Sequence, residues 1–162
     1  MRFPFAEKCK NIIAIAPVAA DASAARQGDW VSFAGTGRIF VEVVISQKNA
    51  ATSKITLLQA TDNAGTGSKA ISNAVPIWAN QDASASEVLT RQDNAVDFTT
   101  DAALKDKVVV FQLDPDEVLD TQNGFSHISV SVGASNAANI VSAKYVATDL
   151  RYGAQEAPYL TE

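Results

Sequence analysis

Between Ile39 and Ile45 every second residue is a β-branched aliphatic, and this alternation constrains the fold more than any other feature of the sequence. Ile39, Val41, Val43 and Ile45 share one face; Phe40, Glu42, Val44 and Ser46 share the other. A period of two in β-branched residues is what a strand in a packed sheet requires. A second strand, Lys54 to Ala60, sets Ile55 and Leu57 against Thr56 and Leu58. The polar stretch Lys48-Asn49-Ala50-Ala51-Thr52-Ser53 between them reads as the turn of a β-hairpin.

The rest of the chain repeats the pattern. Ala70 to Asn80 reads as a strand that Pro76 demotes to an edge or a bulge. Val96 and Phe98 mark a short strand, and Val108 to Leu113 reads as a buried run. Phe125 to Val132 alternates Ile128, Val130 and Val132 against His127, Ser129 and Ser131. In Ile140 to Thr148, Val141, Ala143, Tyr145 and Ala147 share a face. Helix is confined to two turns, one over Asp101–Lys107 and one opened by Asp114-Pro115 with acids in its first turn. About eight short strands separated by turn clusters predict an all-β protein, an antiparallel β-sandwich or jelly roll. No fixed-period repeat suggests a solenoid or propeller.

The chain of 162 residues fits one domain. Its divisions are an extended N-terminal arm over 1–28, a β-sandwich body over 29–152 and a C-terminal tail over 153–162. Only 7% of residues are aromatic, so the expected core is thin and aliphatic. A net charge of -5 argues against duplex DNA as the main partner, and aromatic–basic interleaving for single strands is missing. One cysteine, Cys9, cannot form an internal disulfide. No apolar run approaches the ~18 residues that span a bilayer. The basic and apolar start of the chain has the look of a signal peptide, but it lacks Leu and contains Glu7 and Pro17, so it reads as a retained arm.

Candidate chemistry is sparse. Thr61 to Lys69, TDNAGTGSK, invites comparison with a phosphate loop, yet its glycines are one residue apart and Ser precedes Lys, so it reads as an inter-strand loop. Asp114, Asp116, Glu117 and Asp120 lack the alternation and terminal Glu of a calcium loop and fit a helix-cap turn. His127 has no G-x-S-x-G nucleophile elbow to serve, and one His with one Cys cannot supply a zinc ligand set. Trp30 and Trp78 could stack on sugars but fit better as packing residues. The expectation is a protein without catalytic, cofactor or metal residues. In the arm, Phe3, Phe5, Ile12, Ile13 and Ile15 are the apolar anchors expected to lie on a neighbouring protein.

Several stretches carry a resemblance. They are Asp29-Trp30-Val31-Ser32 opening the body, Gly37-Arg38 before the long strand, Gln59 to Ala70 (QATDNAGTGSKA), Asn123-Gly124-Phe125, and Thr148-Asp149-Leu150-Arg151-Tyr152. In that order, over about residues 29–152, the chain resembles the capsid decoration, or cement, proteins of tailed bacteriophages. The resemblance implies a β-rich protein made in the bacterial host cytoplasm that binds the outer surface of an HK97-type head. Its implied partners are the major capsid protein and further copies of itself, with no direct nucleic acid, no membrane and no catalytic residues. The alternatives are another virion component, in head completion or the tail, or a carbohydrate-binding β-sandwich using Trp30 or Trp78.

Overall fold

A computed structural model of the chain describes residues 5–21 and 23–150. The tail expected over 153–162 and the candidate anchor Phe3 lie outside these described residues. A short helix, α1 (Phe5–Lys8), precedes β1 (Lys10–Ala19), β2 (Arg26–Gln27), β3 (Val31–Ser32) and β4 (Thr36–Ser46). Then come β5 (Lys54–Ala60), β6 (Lys69–Ala70), β7 (Val75–Asn80), β8 (Thr90–Ala95), β9 (Asp97–Thr99) and β10 (Lys107–Leu113). A helical turn, α2 (Pro115–Val118), leads to β11 (His127–Val132) and β12 (Ile140–Leu150).

The strands form two antiparallel sheets, the β-sandwich expected from the alternation. The first has the order β1-β12-β4-β10-β7-β8. The second has the order β2-β11-β5-β6, with β3 also on β11 and β9 also on β5. Ile39, Val41, Val43 and Ile45 of β4 are fully buried, as are Val109, Phe111 and Leu113 of β10 and Val141, Tyr145 and Ala147 of β12. Ile55, Leu57, Ile128, Val130 and Val132 meet them from the second sheet in one continuous core. Each such aliphatic contributes about 1.5–3 kcal/mol when fully buried.

Three local expectations change. Strands β4 and β5 do not form a hairpin: β4 pairs with β12 and β10, and β5 pairs with β11 in the other sheet. The connection arches between the sheets, held where the Lys48 and Asn49 amides both donate to Asn139 Oδ1 at 2.8 Å. The run Val108–Leu113 buries only alternate residues. No helix forms over 101–107; Lys107 opens β10 instead, its Nζ donating to the carbonyls of Ala103 (2.7 Å) and Lys105 (3.2 Å) and pairing with Asp101 at 3.2 Å. Pro76 takes the bulge alternative: β7 lies between two paired strands, and its register with β8 shifts between Val75 and Ile77.

The N-terminal segment differs most. Over Lys10–Ala19 it is not a free arm but the edge strand of the first sheet, paired with β12. Ile12 lies opposite Tyr145 and Ile15 opposite Ala143, and both are buried in the protein's own core. The long strand β12 would otherwise expose a row of unpaired backbone groups, and β1 covers them. On the other side of β1, the Asp29 amide donates to Ala14 O at 3.1 Å and the Arg26 guanidinium to Ala19 O at 2.9 Å.

Candidate interaction face

The sandwich has two outer faces of opposite character. On the first sheet, antiparallel register carries one row across all six strands: Ile13, Lys144, Glu42, Val110, Trp78 and Arg91. A parallel row joins Val146, Phe40 and Gln112, and another joins Ser142, Val44 and Val108. Ile13 is 67% exposed, Ile140 40% and Val44 38%, and the other apolar members of these rows are half-buried. Lys144 pairs with Glu42 at 3.2 Å, and the Arg91 guanidinium, still charged, is stacked 5.0 Å from the Trp78 ring centre.

On the second sheet the outward row is Gln27, Ser131, Thr56 and Asp97. It is flanked by His127, by the half-buried Leu58 opposite the fully buried Ser129, and by the Lys54–Asp97 ion pair at 3.0 Å. A polar outer face is what solvent requires of a two-layer sandwich; a broad apolar one marks a surface for a partner. The first face is therefore the candidate site.

The structure divides the expected anchors. Ile13 stands on this face, and Phe5, 61% exposed on α1, lies near β12. Ile12 and Ile15 point inward instead. Sequence reasoning missed Phe40, Val44, Val110 and Val146. The available signal is that β4 and β10 carry apolar residues at both parities: Val108–Leu113 reads as a buried run, and Phe40 and Val44 fall on the face of β4 opposite Ile39–Ile45.

The other motifs resolve into structure. In the loop after β5, Asp62 Oδ1 accepts the amides of Ala64 (3.0 Å) and Thr66 (2.9 Å), while Gly65 and Ser68 amides bond carbonyls within the loop. The Thr66 amide above all holds the Asp62 carboxyl below its ordinary range. These donors face inward on their own turn, so no phosphate cradle exists there. Gly65, at φ 79°, lies directly on the half-buried Trp30 indole. With Trp30 under this loop and Trp78 under Arg91, neither ring presents a bare platform for a sugar.

Ser126 Oγ lies 2.9 Å from His127 Nδ1 and 3.3 Å from Thr61 O, to which it donates. Burial pushes the His127 imidazole down, partly offset by Asp62. The carboxylate that would orient this histidine is spent on the Ala64 and Thr66 amides, so the neighbours do not assemble a relay. Asp120 is engaged by Lys69 at 2.7 Å and by Asn123, which hold its carboxyl below the usual range. Among the described residues no three His, Cys, Asp or Glu side chains converge as a metal site. No helix among them is long and apolar enough to cross a membrane.

Comparison with known proteins was made at three levels. No protein-family model matches the chain, and no curated protein matches it. Among solved structures it is similar to the SPBc2 prophage-derived protein YomS, with a TM-score of 0.51 and 10% identity over 87% of this chain and 93% of that one. The likeness is one of fold. A structure of infectious bursal disease virus, Gx strain, aligns at a TM-score of 0.26 and 9% identity, over 86% of this chain and 39% of that one, and carries no argument.

Proposed function

We propose that the protein is a structural component of a tailed-phage virion, a decoration protein that binds the outer surface of an HK97-type head and strengthens contacts between major capsid subunits. The observation that carries this reading is the asymmetry of the sandwich. One six-stranded face gathers exposed and half-buried aliphatic and aromatic side chains among few charges, and the opposite face is mainly polar. A prophage-derived protein of the same fold and similar length agrees with it, as does the resemblance over residues 29–152. Repetition by capsid symmetry makes a modest contact per copy sufficient, because many copies bound to one shell act together.

The test is co-sedimentation of the purified chain with phage heads that lack it. The reading predicts saturable binding at a fixed ratio to the major capsid protein and greater resistance of the heads to heat. Absence of binding to heads, with binding to tails instead, would replace it by a tail role.

A further inference from the structure

At one end of the sandwich, where β4 begins and β12 finishes, a cavity of about 440 Å³ opens between the sheets and α2. Its walls include Phe33, Leu119 and Phe125, its acidic residues are Asp116 and Asp149, and Thr36 also lines it. Among the described residues no Lys, Arg or His lines it. Thr36 is only 7% exposed, and its Oγ1 is buried with no hydrogen-bond partner, an omission that costs stability unless something else satisfies it.

Asp149 adopts the left-handed backbone, uncommon for any residue but glycine though least so for Asp and Asn. At φ 54° it is the one non-glycine with positive φ among the described residues. It turns into space left by Gly37, where a Cβ would come 2.9 Å from the Asp149 Cβ. Strain of this kind collects at ligand-binding positions. The contrast with the neighbouring acid is informative: Asp120 has Lys69 at 2.7 Å, whereas neither Asp116 nor Asp149 is in an ion pair among the described residues.

We propose that this cavity is a socket for an arginine side chain presented by a protein partner. Its side chains supply apolar walls, two carboxylates and a hydroxyl acceptor, so the occupant must bring an apolar stem and a cluster of donors. A guanidinium on a three-carbon stem has that composition: the stem packs on the apolar walls and the N–H groups meet the carboxylates, while the Phe125 ring already carries Lys69 Nζ 4.1 Å from its centre. The volume exceeds one side chain, leaving room for residues beside the arginine. The inference goes beyond the capsid reading: the partner is defined only by an exposed arginine, and the socket lies at the sandwich end rather than on the sheet face.

The test is amide NMR of the full ¹⁵N-labelled chain titrated with Nα-acetyl-arginine N-methylamide and with its neutral citrulline counterpart. The arginine probe is expected to shift the amides of Gly35, Thr36, Phe125 and Asp149. The citrulline probe should bind at least about tenfold more weakly, the loss of one charge-assisted contact. Joint substitution Asp116→Asn and Asp149→Asn should weaken the arginine probe as much, asparagine being tolerant of the left-handed backbone at position 149. Ile13→Lys, on the sheet face, should leave it unchanged. No localised shift up to ~50 mM probe, or equal shifts from citrulline, would overturn the proposal. The citrulline arm uses the unaltered chain and decides the matter even where the double variant fails to fold. Loss of the socket would leave head binding, read on the sheet face, untouched.

Discussion

Tyr145 joins the two layers through a single hydroxyl. It accepts the Val130 amide at 3.0 Å and donates to Asp29 O at 3.1 Å, so a β12 side chain satisfies backbone of the opposite sheet. Burial pushes its phenol well above the ordinary value, and Phe33 packs edge-on at 5.5 Å. Tyr145→Phe keeps the ring contact and orphans the two backbone groups. Urea denaturation should show a loss of about 1–3 kcal/mol; a loss below ~0.5 kcal/mol would mean that these groups find other partners. Gly65 makes a second prediction. A Cβ there would lie 2.5 Å from Trp30 Nε1, whereas at Gly67, also left-handed at φ 66°, the nearest atom is 4.0 Å away. Gly67→Ala should cost only the backbone term, about 1–2 kcal/mol. Gly65→Ala should cost more and alter Trp30 fluorescence; equal costs would contradict the packing of this loop on the indole.

At the scale of elements, alternation made β4, β11 and β12 legible because a period of two reports which side of a strand is wet. It does not report which strand lies alongside. The six polar and small residues after Gln47 serve an arch as well as a hairpin, so β4 and β5, adjacent in sequence, lie in different sheets. The Asp101–Lys107 turn was misread because Lys107, a charged residue by sequence, satisfies its Nζ on carbonyls of its own loop. Residues 10–19 read as an arm because their partner, β12, lies at the far end of the chain and Pro17 interrupts the pattern. The interaction face was half-visible: Ile13 is among the expected anchors, whereas Phe40 and Val44, on the other face of β4 from Ile39 and Val41, carry no assignment in the sequence. These placements change what a truncation means. Deleting residues 1–16 removes Ile12, Ala14 and Ile15 from the core and should lower stability by about 2–5 kcal/mol. Ile13→Lys should change it by no more than ~0.5 kcal/mol while weakening attachment to heads. A deletion that left the melting curve unchanged would return this segment to the status of an arm.

For the whole molecule, the account rests on the difference between the two outer faces. A six-stranded apolar face backed by a rigid aliphatic core suits attachment over a broad surface, and the polar face opposite keeps the far side wetted. Lys144 is paired with Glu42 while Arg91 keeps its charge over Trp78, so attachment rests mainly on burial of apolar area, with a salt-sensitive part from Arg91. The most direct measurement is head binding by two matched double variants. Val44→Lys with Val110→Lys charges the first face, and Thr56→Lys with Ser131→Lys charges the second. With both variants folded, the account predicts that the first loses binding to purified heads and the second binds as the unaltered chain does; equal binding by the two, or loss confined to the second, would contradict it.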